Sequence, residues 1–185
     1  MGTQRSIVII GAGGHGRVLA DVLACQGREV LGFVDDDPTK AGTMLLGCPV
    51  LGGTEKIADF DPDQILLVNA VGSVKDMTVR RDVYKRFLER GFCFEALVHP
   101  SAVLARDAAL GPGAQILSGA VVVTGSSIGE NTIVTTRASV DHDCQIGAHV
   151  HLSPGVTLSG GVSVGEATHV GVGATVVQGI SIGAG

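Results

Sequence analysis

Residues 110–152 read LGPGAQILSGAVVVTGSSIGENTIVTTRASVDHDCQIGAHVHL, with an aliphatic residue at every sixth position. The register extends outward in both directions without a slip: Val98, Leu104, Leu110, Ile116, Val122, Ile128, Val134, Val140, Ile146, Leu152, Leu158, Val164, Val170, Val176 and Ile182. A second period lies over the first, because Gly111, Gly129, Gly147, Gly165 and Gly183 each follow one of these residues, eighteen apart. A helix needs apolar spacing near about 3.6 and a half-buried strand about 2, so this period fits neither. It fits a short strand, a bend and another short strand, with one aliphatic residue turned inward per side. Eighteen residues then make one coil of a three-sided prism, and coils stack by strand pairing at roughly 4.8 Å per layer. Four positions after each aliphatic residue comes a small or β-branched one, among them Ala114, Ser126, Thr132, Ala138 and Cys144, as a narrow interior requires. The recurring glycine suits bends that a Cβ would crowd. The repeat predicts a parallel β-helix of hexapeptide repeats over residues 98–185.

Composition agrees with this and narrows the partners. An aromatic content of 3% and 28 glycines are unusual for a compact chain, and a solenoid accounts for both. A net charge of −5 argues against a broad surface for a nucleic acid polymer. No apolar run reaches membrane-spanning length. The apolar stretch before Ile10 is too short for a secretory signal. The expectation is a cytoplasmic protein with no membrane partner. Cys25, Cys48, Cys93 and Cys144 are scattered and form no CxxC, so buried reduced thiols are expected, with no metal and no disulfide.

Residues 1–97 have a different texture and read as a Rossmann-like βαβ domain. The run SIVII, ending at Ile10, reads as a buried parallel strand, and Gly11-Ala12-Gly13-Gly14-His15-Gly16 opens a helix to about Cys25. A second strand from Glu29 to Val34 ends in Asp35-Asp36-Asp37-Pro38. Gly11, Gly13 and Gly16 with Asp35 match the dinucleotide fingerprint of a tight turn, a close backbone approach and a helix N-terminus facing an anion. Pro49–Leu51 suggests a strand or loop, 54–59 a short helix, and Gln64–Ala70 a strand. Lys75 to Arg90 reads as an amphipathic helix with Val79, Val83, Phe87 and Leu88 on one face, and Phe92–Leu97 as a last strand. This is half of a dinucleotide fold and small for a whole NAD site.

A Rossmann-like domain joined to hexapeptide repeats resembles the NeuD/PglD-type sugar acyltransferases. The resemblance covers essentially the whole chain. It rests on the glycine turn at residues 11–16, on Asp35-Asp36, on His99-Pro100 at the junction, and on Ala138-Ser139-Val140-Asp141-His142-Asp143-Cys144 inside the repeats. It implies a left-handed β-helix, a homotrimer, and acetyl-CoA as the acetyl donor to a nucleotide-linked amino sugar. It also implies roles for particular residues. His142 matches the catalytic base and Asp143 its carboxylate partner, although the family carries Glu there and Asp141 on the other flank could serve instead. His151, Gly160 and His169 match acetyl-CoA contacts. Gly13, Gly14, His15, Asp35 and Asp36 match the nucleotide-sugar side. Family members also continue with further repeats, so the chain, ending at Gly185 just after a coil begins, is expected to be truncated.

The chemistry suits these residue types. Acetyl transfer to a sugar amine needs the amine deprotonated, and an imidazole of pKa near about 6.5 can take the proton at neutral pH. A neighbouring carboxylate fixes the tautomer and stabilises the imidazolium. The register adds geometry. His151 and His169, eighteen apart, belong on the same side in successive layers, whereas His142 and His151, nine apart, belong on different sides. If both act on one thioester they come from different subunits, which places the active site at a subunit interface. His99 and His149 read as structural or solvated. The solenoid has only Arg106 and Arg137 as fixed cations toward the anionic CoA. Three other readings stand beside N-acetylation: sialic acid O-acetylation, an NAD-dependent oxidoreductase that would leave the repeats idle, and a non-catalytic trimeric scaffold.

Overall fold

The computed structural model describes residues 5–72 and 77–185. The chain divides into two compact units, Met1–Gly72 with Asp82–Glu95, and Ser73–Arg81 with Ala96–Gly185.

The first unit is built on strand β1 (Ser6–Ile10), helix α1 (Gly14–Cys25) and strand β2 (Val30–Val34), followed by a hairpin of β3 (Met44–Leu45) and β4 (Cys48–Pro49), and strand β5 (Ile65–Asn69). β1 lies between β2 and β5 in a parallel sheet. Its residues Ile7 to Ile10 are buried, as the unbroken aliphatic run requires of a central parallel strand. Helix α2 (Met77–Leu88) begins within the stretch expected to be helical, whose first residues, Lys75 and Asp76, lie outside the described residues. Its buried face matches the expected one at Phe87 and partly at Val83, and departs from it at the other two positions. Tyr84 and Phe87 pack against Val8, Ile10, Leu67 and Phe94, while Val79 and Leu88 are exposed. Residues 92–96 are not a strand and carry a single bridge, Phe94 to Leu67. The expectation of buried thiols holds for Cys144; Cys25 and Cys93 are exposed, and all four cysteines are free.

The second unit is a β-solenoid of three five-stranded parallel sheets made of two-residue strands. Each strand pairs with the one eighteen residues on: Val121 with Ser139, Ser127 with Gln145, Ile133 with His151. The sixth-position aliphatic residues are the inward members of the strands, and Ile116, Val122, Val134, Val140, Leu152 and Leu158 are fully buried. The small residues expected beside them, Ala114, Ala120, Ala138 and Cys144, fill the interior at the corners. Leu97–Val98 is the solenoid's first strand.

Two devices shape the corners. A Cβ on Gly129 would stand 2.5 Å from the Ala148 nitrogen in the next coil, and one on Gly111 2.5 Å from the Glu130 nitrogen, so these glycines let stacked backbones approach. The second device is only partly marked in the residues, since seven of its twelve positions are glycine. Every sixth residue from Gly113 to Gly179 has positive φ, whether it is Gly, Asn131, Arg137, Asp143, His149 or Ala167.

Candidate active site

The sequence Asp141-His142-Asp143-Cys144 forms the corner that leads from the Ser139–Val140 strand to the Gln145–Ile146 strand. Asp143 takes the left-handed position, φ 59°, which short polar side chains tolerate better than most. That conformation turns its carboxylate toward the preceding ring. Asp143 Oδ2 lies 2.8 Å from His142 Nδ1. Asp141 does a different job, accepting the His142 backbone N–H on Oδ1 at 2.8 Å. Of the two flanking carboxylates, Asp143 therefore meets the ring and Asp141 fixes the backbone. An ionised carboxylate only accepts, so the Nδ1 proton faces Asp143 and Nε2 carries the lone pair. The hydrogen bond to Asp143 raises the His142 pKa above that of an ordinary imidazole; slight desolvation opposes this, and the charges of Asp141 and Asp143 add to it. The ring is 57% exposed, open to an incoming substrate.

Glycines frame the pair above and below. A Cβ on Gly160, one coil on, would collide with the His142 ring, and one on Gly125, one coil back, would collide with the Asp143 carboxylate. Gly160 thus sits against His142 within one chain.

His151 and His169 are register partners in adjacent layers, with ring centroids 4.9 Å apart and planes inclined by 16°. His151 is buried, and His169 Nε2 lies 2.7 Å from Ser153 Oγ. They belong to the sheet of the Ile133–Val134 strand, not to the corner of His142, so one chain does not bring His142 and His151 onto one face. His149 is also buried, with Nδ1 3.0 Å from Asn131 Nδ2. The Asn131 carbonyl in turn accepts from Nε and Nη2 of the buried Arg80 at 3.3 and 3.2 Å. Sequence reasoning missed this polar chain, because nothing in the repeat marks Asn131 as buried.

In the first unit the glycine turn has distinct tasks at each position. Gly11 has φ +108°, and a Cβ on Gly16 would collide with the Gly11 carbonyl. Gly13 caps α1, and open space lies where Cβ atoms of Gly13 and Gly14 would stand. His15 is half-buried in the first turn of α1. Asp35 Oδ2 accepts the Ala12 N–H at 2.7 Å and the Lys40 ammonium at 2.8 Å, and Oδ1 accepts the Asp37 N–H at 3.0 Å. Burial pushes its pKa up, but Lys40 and the two N–H groups outweigh this and hold it below the ordinary carboxylate value. Asp35 therefore braces the turn. Asp36 accepts the Thr54 N–H at 2.6 Å, and both aspartates line an open cleft of about 520 Å³ with Pro38, Leu51, Gly53 and Lys56. Lys40 was not singled out in the sequence; its place two residues after Pro38, in a 3₁₀ turn capped by Asp37, is the local signal for it.

A Rossmann-like unit followed by a β-solenoid with an imidazole–carboxylate pair at one corner defines a class of acyltransferase, and comparison with known proteins agrees. The family model described as the PglD N-terminal domain matches residues 6–87. Perosamine N-acetyltransferase from Caulobacter crescentus, solved with CoA and GDP-perosamine, is 39% identical with a TM-score of 0.89, over 97% of this chain and 83% of that one. The acetyltransferase domain of PglB from Neisseria gonorrhoeae, solved with acetyl coenzyme A, is 37% identical with a TM-score of 0.90, over 98% and 86%. UDP-N-acetylbacillosamine N-acetyltransferase from Bacillus subtilis is 38% identical over 62% of this chain, and that match spans about half, 52%, of its own length. The chain belongs to the PglD-type family of sugar acetyltransferases.

Proposed function

We propose that the protein is an acetyl-CoA-dependent N-acetyltransferase acting on the amino group of a nucleotide-linked amino-deoxy sugar. The observation that carries this reading is the His142–Asp143 pair at 2.8 Å on an exposed ring. His142 Nε2 takes a proton from the sugar amine as its nitrogen attacks the thioester carbonyl. The C–N bond forms, the C–S bond breaks, and the proton passes from the imidazolium to the departing thiolate. Asp143 holds the Nδ1 tautomer and stabilises the imidazolium, help typically worth about 10²–10⁴-fold. Transfer to nitrogen is favoured over sialic acid O-acetylation because the Caulobacter and Bacillus relatives are both N-acetyltransferases.

Within this reading the 1–97 domain, through Gly13, Gly14, His15, Asp35 and Asp36, binds the nucleotide sugar. His151, Gly160 and His169, on the 98–185 domain, contact acetyl-CoA. Because His142 and His151 lie on different faces of one prism, a site using both takes them from two copies of the chain, which fits a homotrimer. Among the described residues no helix is long and apolar enough to cross a membrane, and the proposed setting is the cytoplasm, where acetyl-CoA is available. The test is thiol release from acetyl-CoA with UDP-, GDP- and dTDP-linked amino sugars and with free sialic acid, comparing wild type and His142→Ala. Turnover of one nucleotide amino sugar, lost in the variant, supports the proposal. Turnover only of sialic acid, or no effect of the variant, sinks it.

A further inference from the structure

The corner that carries His142 is closed differently from many others in the solenoid. At seven other corners the N–H of the fourth residue donates to the carbonyl of the first, as Ala114 does to Gly111 and Ala138 to Thr135, each at 3.1 Å. At Asp141–Cys144 a side chain from the coil below stands between the two ends. The Ser126 hydroxyl donates to the Asp141 carbonyl at 2.8 Å and accepts the Cys144 N–H at 3.1 Å. These two backbone groups flank His142 and Asp143. On the opposite side of the corner the Cys144 thiol donates to the Ser159 carbonyl at 3.3 Å, next to the Gly160 that makes room for the ring.

We propose that Ser126 is a positioning residue for acetyl transfer, its buried hydroxyl holding the Asp141–Cys144 corner open so that the Asp143 carboxylate meets the His142 ring. The inference rests on the acetyltransferase reading of the same site. Packing does not demand a hydroxyl at 126. Ala114, Ala120 and Ala138 fill equivalent interior positions and are fully buried. What the hydroxyl adds is a donor and an acceptor on a single atom. Without it, the Asp141 carbonyl and Cys144 N–H either stay unpaired in the interior or draw together into the direct bond that Ala138 makes to Thr135. Either result turns the backbone on both sides of the dyad, and a misplacement of about 1 Å can cost about 10²-fold in rate. The fold repeats the device at the next corner, where Thr132 Oγ1 donates to the Gly147 carbonyl at 2.8 Å and accepts the Val150 N–H at 3.0 Å. Threonine therefore supports the same geometry, and Thr132→Ala makes the same lesion away from His142.

The experiment uses the full chain with Ser126→Ala, Ser126→Thr, Ser126→Cys and Thr132→Ala. It reads kcat and KM by thiol release and follows the His142 imidazole by NMR titration, assigned by the signal lost in His142→Asn. Ser126→Ala is expected to lower kcat by about 10–10²-fold with KM held, and to move the His142 midpoint toward that of a free imidazole. Ser126→Thr restores both. Thr132→Ala lowers the melting temperature as Ser126→Ala does, yet leaves the His142 titration in place. A wild-type rate and titration in Ser126→Ala overturn the proposal, as does an equal displacement of the titration in Thr132→Ala. If Ser126→Ala does not fold, the remaining pair decides. Ser126→Cys, with a weaker donor, is expected to fall below Ser126→Thr in kcat, and equality with wild type overturns the proposal. A wild type that turns over no nucleotide amino sugar defeats the acetyltransferase reading alone, and the titration then decides whether Ser126 positions the dyad.

Discussion

The imidazole of His142 fills the space in which a side chain on residue 160 would stand. Gly160 does not have the left-handed φ that would itself require glycine, so its role there is to leave room. The obstructing group is the end of an exposed side chain and can swing aside. Gly160→Ala is therefore expected to cost little stability, within about 0.5 kcal/mol as for ordinary surface changes. The displaced ring loses its aim, and kcat falls by about 10²-fold. Thermal melting beside a thiol-release assay separates the two effects.

Asp143 combines a chemical role with a backbone requirement, and substitution can divide them. Asp143→Gly removes the carboxylate and suits φ 59°. Asp143→Val removes it and forces a β-branched residue into the left-handed region, at a cost of about 1–2 kcal/mol. Both variants are expected to lose activity within the range of about 10²–10⁴-fold typical of general-base catalysis. Only the valine variant loses melting temperature, by about 2–8 °C. Equal melting of the two would show that the corner does not discriminate.

The pH profile follows from the raised pKa of His142. The base must be neutral, so kcat/KM rises with pH through a midpoint above the ordinary imidazole value and then levels off. Asp143→Asn moves that midpoint back down. Stability runs the other way. A folded-state pKa above the unfolded one contributes stability that is fully present below the unfolded value, near about 6.5, and is lost as pH rises through the raised value. Activity is gained in the window where this small contribution is lost. A pH–rate profile beside a pH series of melting curves checks both signs.

Stacking of the coils depends on glycines that the chemistry never touches. In Gly129→Ala the new Cβ would meet backbone atoms of Gly147 and Ala148 at 2.5 Å, which cannot swing aside. The expected loss is about 1–3 kcal/mol, as for overpacking elsewhere. Gly171→Ala, with nothing within 4 Å of its Cβ, is the matched control and is expected to melt like wild type. Denaturant or thermal unfolding of the two variants decides the point.

Much of this was written plainly in the sequence. The six-residue aliphatic period states which side chains point inward, and it gave the strand pairing and the stacking of His151 on His169. The glycine turn was legible because φ and close approach restrict residue type, whereas the bond from the Ala12 N–H to Asp35 was not, since that aspartate was expected to face the nucleotide sugar. The left-handed corners were only partly legible: seven of the twelve are glycine, but Arg137, His149 and Ala167 break the pattern. The partner of His142 was not legible either, since two aspartates flank it and only the corner's backbone says which one turns toward the ring. Ser126 read as a small interior filler; its hydrogen bonds reach fifteen and eighteen residues along the chain, to groups a linear pattern cannot associate with it. On α2 the apolar pattern gave Phe87 and Val83 correctly, but the core also takes Tyr84 and leaves Val79 and Leu88 exposed.

The His142–Asp143 corner joins the middle strands of two five-layer sheets, Ser139–Val140 and Gln145–Ile146. In a linear array where each layer touches only its neighbours, local unfolding begins at the outer layers and works inward. A transient opening that frees the outermost layers leaves this corner with the layer on each side still docked. The reacting groups are exposed to solvent as side chains, yet they ride on backbone that has a paired layer on each side. Accessibility and rigidity, which often trade against each other in loop-borne sites, are separated here by placing the site in the middle of the stack.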